Sequence, residues 1–287
     1  MKQSRGDAGT DGELLERARA GDAAALERLL ERHQGQVYRF GMKMCRHPED
    51  AEDVLQDTLI AMARGIKDFR GASSLSTWIY TIARSFCIRK RRKSKFAREE
   101  VSLDADGAPE AARLADPARG PDDVLAGRQV AQALEQSIAA LEPKYREVLL
   151  LRDVEGLPAA QVAEVLGIGV PAVKSRLHRA RLAVRARLAP LLGIPVEAPD
   201  GAAAPAGPGA CPDIVRLYSR HLEDEIGAEV CATMERHLAG CPRCRGACDS
   251  LKQTLALCRT SGAAVAVPAA VQASVRVALR NFLAARP

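Results

Sequence analysis

Leu26, Leu29, Leu30, Val37 and Phe40 recur at three- and four-residue intervals through residues 23–45. That spacing puts apolar side chains on one face of an α-helix. His47-Pro48 ends the run, because proline lacks the N–H a helix needs and clashes with the preceding turn. A second helix, residues 48–62, opens on acidic side chains that suit the positive end of its dipole. A third starts near Ser74 and runs into RKRRKSK at residues 89–95, cations at the negative end. Periodicity lapses over residues 96–127, where DADGAPEAARLADPARGPDD is a polar, Pro- and Gly-bearing linker. Helices resume at 130–141, are punctuated by Pro143 and Gly156-Leu157-Pro158, and continue through 159–188. VEAPDGAAAPAGPGA, residues 196–210, reads as a flexible linker. In the tail, Val271, Val275, Leu279 and Phe282 repeat as on an amphipathic helix.

No strand alternation and no internal repeat is seen. The expectation is an all-α chain: two helical domains and a small C-terminal helical domain. Residues 1–19 are expected to be a disordered N-terminus, although helical patterning starts near Glu13. The first domain spans 20–95, a linker 96–128, the second domain 129–190, a second linker 191–210, a cysteine-rich domain 211–262 and a helical tail 263–287. The pattern leaves open whether the tail after Pro268 packs on the first two domains or on the cysteine-rich one.

Charge sharpens this picture. The 287 residues carry a formal net charge of +6, with a pI of about 9.0, which favours a polyanionic partner. The polar start, MKQSRGDAGTDGE, has no secretory character, and no apolar run approaches the ~18 residues of a membrane span. A cytoplasmic protein is expected, and there thiols stay reduced.

LPAAQVAEVLGIGVPAVKSRLHRAR divides at Leu166-Gly167-Ile168-Gly169. Gly167 supplies the left-handed residue of a tight helix–helix turn. Val162, Val165 and Leu166 face Val173 and Leu177, leaving Lys174, Ser175, His178 and Arg179 outward. This is the layout of a helix-turn-helix whose second helix enters a major groove. Arg176 and Arg181 suit phosphate contacts, which position without specifying. A solvated basic hairpin would share the charge but not the glycine turn and apolar seam together.

Further upstream, DAEDVLQDT places Asp50, Glu52, Asp53, Gln56 and Asp57 on one short helix. Such a face suits a basic protein partner, or is simply solvated. FRGASSLSTWIYTIARSFCIRKRRK gathers Phe69, Trp78, Tyr80 and Phe86 with Arg70, Arg84, Arg89, Lys90, Arg91 and Arg92. Rings that stack bases beside cations that meet phosphates make a single-stranded nucleic-acid site. Trp78 and Tyr80 also fit a core. The small, polar loop FRGASS has room to cradle an extruded base.

DAEDVLQDT, FRGASSLSTWIYTIAR and ALEPKYREVLLLRDVEGLPAAQVAEVLGIGVPAVKSRLHRARL, in that order and spacing, closely resemble bacterial sigma factors of the extracytoplasmic-function (ECF) group over residues 20–190. The resemblance implies a transcription initiation factor, not an enzyme. It implies that Asp50, Glu52, Asp53, Gln56 and Asp57 grip core RNA polymerase. It implies that Phe69, Arg70, Ser73, Ser74, Trp78, Arg84, Ser85 and Arg89 meet the melted −10 element. Lys174, Ser175, Arg176, His178, Arg179 and Arg181 would then meet the −35 duplex. Ser85 stands where the family commonly has asparagine and Thr81 where arginine is common, which bears on −10 preference.

Six of the eight cysteines lie between Cys211 and Cys258. Cys211-x25-His237-x3-Cys241-x2-Cys244 offers four S/N ligands, a set that suits tetrahedral zinc. The spacing resembles the zinc-binding anti-sigma fold, here fused behind a linker that would hold it at roughly millimolar effective concentration. Cys231, Cys248 and Cys258 exceed one zinc and stand as second-site or sensory candidates. Soft thiolates also select Cu(I), and the surplus resembles CorE-like sigma factors, which implies control by copper, or by zinc or cadmium. Structural zinc alone, a thiol–disulfide switch and inert buried cysteines stay open beside metal gating. His221 is a further ligand candidate or a surface histidine. Cys45 and Cys87 lie on apolar helical faces and read as core.

Overall fold

Thr10 starts the first helix by a reciprocal cap: its hydroxyl accepts from the Glu13 N–H, and the Glu13 carboxylate accepts from the Thr10 N–H. The helix, α1 (Asp11–Arg19), buries Leu14 and Ala18. This corrects the expectation of disorder up to residue 19. The pattern that starts near Glu13 is carried by only two buried apolar positions in a polar stretch, and the capping box fixes where the helix begins.

The computed structural model describes residues 9–45, 47–98, 121–191, 211–263 and 266–284, and all regular structure within them is helical. The chain forms two compact units, Met1–Pro109 together with Val265–Pro287, and Glu110–Ala264. In the first, Asp22 caps α2 (Ala23–Met44) by accepting from the Ala24 and Ala25 N–H groups, both at 3.0 Å. Pro48 opens α3 (Pro48–Gly65), where its missing N–H costs nothing. A 3-10 turn, Ile66–Asp68, leads through the loop to α4 (Leu75–Arg98). Leu29, Leu30, Phe40, Leu55, Leu59, Met62, Ile79 and Tyr80 make the core, with Phe40 and Tyr80 edge to face at 5.4 Å.

The second unit begins with α5 (Pro121–Ala139), so the first linker ends some residues before 128. Next come α6 (Pro143–Leu149), a π-helical turn at Leu150–Val154, α7 (Ala159–Leu166) and α8 (Val170–Leu188). Arg146 is buried and donates to the Ile138 and Leu141 carbonyls, satisfying acceptors that the end of α5 leaves over. The cysteine-rich segment adds α9 (Ile214–His221), α10 (Ala228–Gly240) and α11 (Pro242–Ala263). Ile214, Met234, Cys244 and Cys248 form its core, and α11 packs on both α8 and α9.

The tail helix, α12 (Ala269–Ala284), belongs to the first unit and lies on α3. Val271, Val275 and Leu279 are buried, Arg276 pairs with Glu31 at 3.3 Å, and Arg64 stacks on the Phe282 ring.

At the α2–α3 crossing, a Cβ added at Gly41 would meet the Ala51 Cα, Cβ and carbonyl oxygen at 3.3 Å. Two of those atoms are backbone and cannot swing aside. Gly41→Val is therefore expected to lose about 1–3 kcal/mol, the usual cost of overpacking. Chemical denaturation of the full chain, followed at the transition of the first unit, checks it.

Candidate metal centre and nucleic-acid interfaces

One ligand atom from each of Cys211, His237, Cys241 and Cys244 lies within 4.8 Å of the others. Cys211 stands just ahead of α9, His237 on the last turn of α10, Cys241 at the α10–α11 junction and Cys244 on the first turn of α11. Pro242 allows α11 to restart there, so the thiols of Cys241 and Cys244 converge from one tight turn. Cys211 Sγ and Cys241 Sγ are 3.8 Å apart. A tetrahedral ion with metal–sulfur bonds of about 2.3 Å requires roughly that separation. His237 Nε2 is buried without a hydrogen-bond partner, an arrangement that is costly unless a ligand completes it. The four residues fit zinc by donor type, separation and this orphaned nitrogen.

Their titration differs. The Cys241 thiol is held below its ordinary value, first by the Cys244 backbone N–H. Burial, and then the Cys211 and Cys241 sulfurs, push Cys244 up to about 12. Metal entry must therefore displace the Cys244 proton.

The surplus cysteines do not join this cluster. Cys248 and Cys258 are buried on α11, and burial pushes the Cys248 thiol up. Cys231 instead meets His221 Nδ1 at 3.3 Å. Among the described residues the cluster around His237 is the one group placed to hold a metal.

In the helix-turn-helix, Gly167 takes φ +65° and the Ile168 N–H returns to the Ala163 carbonyl at 3.1 Å, closing the turn. Val162, Val165, Leu166, Val173 and Leu177 are buried as the pattern predicts. Ser175 and Arg179 are exposed on α8, and Lys174, Arg176 and His178 half-buried. Arg179 donates to the Tyr145 hydroxyl at 3.2 Å.

Arg181 does not share that face. It is 3% exposed, in a bidentate pair with Asp153 at 2.8 and 2.7 Å and in contact with Glu223 at 2.8 Å. The phosphate contact expected of it does not fit this burial. Arg181 falls in register with Leu177 and Val184, on the inward side of the helix. Burial alone would ease its proton off; the Asp153 and Glu223 carboxylates more than offset that.

Glu223 also accepts from Arg152 at 3.0 Å, and its backbone carbonyl accepts from Lys174 at 3.0 Å. Glu225 lies 3.3 Å from the same Lys174. Asp224 between them adopts φ +53°, the left-handed turn that lets both neighbours reach α8 and the π turn. Sequence reasoning missed Glu223, Glu225, Asp153 and Arg152. The acidic run EDE after His221 was the available signal, but its partners lie far off along the chain.

In the first unit, Asp53 and Asp57 are exposed on α3 and Asp50, Glu52 and Gln56 half-buried, while Val54, Leu55 and Leu59 turn inward. Lys90 of α4 pairs with Asp53 and lies 3.8 Å from Asp50.

A cavity of about 390 Å³ opens beside this domain's loop, lined by Gly65, Asp68, Phe69, Arg70, Ala72, Ser73 and Trp78. Phe69 and Trp78 tilt together at 4.9 Å, and Gly71 turns the loop with φ +72°. Ser74 is engaged in accepting from the Thr77 N–H, a helix cap. Ser85 donates to the Ile82 carbonyl, and Arg89 stacks on Phe86 at 4.1 Å. Arg84 is half-buried on the same helix.

A helical unit with an acidic helix and an aromatic cavity, a helix-turn-helix, and a Cys₃His cluster together define a DNA-directed regulatory protein with a zinc-type module. Comparison with known families agrees. Residues 29–96 match Sigma-70 region 2, residues 131–184 match Sigma-70, region 4, and residues 211–245 match the family described as "Putative zinc-finger". The chain is 34% identical over 184 residues to the ECF RNA polymerase sigma factor SigM of Mycobacterium tuberculosis, covering 64% of this chain and 85% of that protein. It is 30% identical to the RNA polymerase sigma factor YlaC of Bacillus subtilis, over 56% of this chain and 90% of that one. The ECF sigma factor SigW of Bacillus subtilis is 28% identical, over 61% and 94%. The chain belongs to the ECF RNA polymerase sigma factors. It directs RNA polymerase in transcription initiation, and the sigma factors it is related to are transcription factors. No described helix is long and apolar enough to cross a membrane.

Cys241→Ser and His237→Ala should each weaken zinc binding by at least about 10–100-fold, a loss that removing an outer hydrogen-bond partner can already cause. Because Cys244 holds its proton up to about 12 in the metal-free protein, zinc uptake should release protons and tighten as pH rises. Competition with a chromogenic chelator across pH 6–9 reads both effects; an affinity flat with pH contradicts the second.

Proposed function

We propose that this sigma factor is gated by metal at its C-terminal module. In this reading the outward acids of α3 dock on core polymerase, and the Phe69–Trp78 cavity takes a base from the melted −10 strand. Lys174, Ser175, Arg176, His178 and Arg179 meet the −35 duplex. Zinc sits on Cys211, His237, Cys241 and Cys244, and copper, zinc or cadmium at the module sets the balance between a closed and an open form. The protein works in the cytoplasm. Metal shifts that balance only by binding one form better than the other.

The observation that carries this reading is the seat of the 223–225 loop. Lys174 cannot give its ammonium to a base edge or a phosphate while it donates to the Glu223 carbonyl and pairs with Glu225. The Glu223 carbonyl and the Glu225 carboxylate hold a cation that duplex DNA would otherwise take, which supports reading this arrangement as the closed form. The loop lies between α9 and α10; Cys211 stands just ahead of the far end of α9, and His237 on the far, last turn of α10. Movement at the cluster therefore reaches the loop through one short helix on either side.

A Glu223→Gln, Glu225→Gln double variant is expected to bind −35 duplex about tenfold more tightly than the parent, roughly 1.4 kcal/mol. Arg181 keeps its Asp153 partner in that variant, so the helix-turn-helix stays folded. Core polymerase and promoter affinities of the reduced, metal-stripped protein should then change about tenfold on adding one of copper(I), copper(II), zinc or cadmium. Equal affinities with every metal would refute gating.

Redox control around a structural zinc is the second reading, and the Cys231–His221 contact favours it. Oxidant in place of metal separates the two.

For the −10 site, Trp78→Ala should weaken holoenzyme binding to a melted −10 strand by about 1–3 kcal/mol, the scale of one base–aromatic stack. Binding to fully duplex −35 DNA should not change.

A further inference from the structure

Cys45 and Cys87 are 42 residues apart in sequence, yet their sulfurs are 3.8 Å apart. Both are reduced in this structure. Cys45 ends α2 and is half-buried; Cys87 sits on α4 and is 3% exposed. The apolar patterning explains why each is inward. It does not explain why two of them meet where three helices join.

The geometry points to a peroxide-sensitive dithiol at this junction, with Cys45 as the attacking thiol and Cys87 as the resolving one. Cys45 has the access that Cys87 lacks. Its sulfur is hydrogen-bonded to Cys87, which holds its thiol below the ordinary value, and the charges of Lys90 and Arg91 act in the same sense. Burial and Asp50 oppose them. A thiolate beside cations is the form that reacts with hydroperoxides.

The chemistry balances as follows. The Cys45 thiolate attacks one oxygen of the hydroperoxide: an S–O bond forms, the O–O bond breaks, and the alkoxide or hydroxide leaving group takes a proton. Cys87, as thiolate, then attacks the sulfenic sulfur. The S–S bond forms, the S–O bond breaks, and the departing hydroxide takes the proton Cys87 released, leaving water. Two electrons pass from the thiols to the peroxide. Cys87 needs no access of its own, because its target is already at contact.

Closure requires the sulfurs to approach from 3.8 Å to about 2.05 Å. Cys45 can give. Its backbone has left the helix, with φ −89° and ψ 146°, and it precedes the break at Pro48 rather than sitting inside a turn.

The consequence falls on α3. Asp50 and Asp53 occupy its first turns, and Lys90, which pairs with both, lies one turn beyond Cys87. A disulfide would tie the entrance of α3 to α4 and hold Lys90 over Asp53, keeping a cation on the acidic face. This step rests on the reading that this face docks on polymerase.

The test uses the full, zinc-loaded chain and hydrogen peroxide, with thiols trapped and peptides identified by mass. The expected result is a Cys45–Cys87 linked peptide, lighter than the two reduced peptides by two hydrogens. A fall of about tenfold in affinity for core polymerase should accompany it, reversed by reductant. Cys45→Ser and Cys87→Ser, checked for unchanged helicity and reduced-state affinity, should keep their affinity after peroxide. Effects of oxidising the C-terminal thiols would persist in both variants and so are separated. Recovery of Cys45 and Cys87 as thiols after the other six have reacted would overturn the site. A linked peptide with unchanged affinity would overturn its consequence for docking. Asp53→Lys in reduced protein tests the docking reading alone: undiminished affinity there refutes that reading and leaves the disulfide standing.

Discussion

The second unit is organised around one buried cation. Arg181 lies in the inward register of α8, where an isolated guanidinium would be costly to desolvate. Asp153 holds it bidentately from the π turn, and Glu223 reaches it from the cysteine-rich segment. Removing one partner from such a pair typically costs about 3–5 kcal/mol, because a charge is left behind without compensation. The network therefore fixes the pitch of α8 against the π turn. It also makes the position of residues 222–226 depend on the helix that carries the outward cations.

The two acids are not equivalent. The Asp153–Arg181 pair lies wholly within the helix-turn-helix domain and survives any movement of the cysteine-rich segment. Glu223 bridges Arg181 and Arg152 and is 4% exposed along its side chain, so withdrawing it exposes a carboxylate that water solvates well. The charge left on Arg181 is still paired. Lys174 and Glu225 are about a quarter exposed and are screened by salt more strongly. A contact built this way is specific in geometry and modest in net energy. A small free-energy input from another site is enough to move it.

Much of this was legible in the chain. The apolar spacing through Leu26–Phe40 and Val162–Leu177, the breaks at Pro48 and Gly167, and the H-x3-C-x2-C run each report local chemistry; the structure buries those apolar positions and brings the four candidate ligands together. What escaped was long-range or weakly patterned. α1 has two buried residues and a capping box, and the pattern that starts near Glu13 is too weak to set against the polar, glycine-bearing start of the chain. Arg181 read as a phosphate contact because basic residues surround it, although its register with Leu177 and Val184 already pointed inward. Its carboxylates lie 28 and 42 positions away, a distance at which a sequence offers no pairing rule. The tail helix shows the same limit: its apolar stripe predicted burial and could not name α3 as the surface.

The cysteines divide by the same physics. Cys241 gains backbone N–H donors at a helix start, and Cys244 is driven towards its protonated form by burial and by two neighbouring sulfurs. An ion arriving there displaces thiol protons, that of Cys244 among them, and removes the repulsion between sulfurs, so binding and local order are a single event. Cys248 and Cys258, on the same helix but enclosed, are packing residues without access, and burial pushes the Cys248 thiol up. A count of eight cysteines therefore overstates the reactive set. Reactivity follows from which sulfurs face another sulfur, a histidine or a cation at a helix end, and α11 alone presents both kinds within five residues, at Cys244 and Cys248.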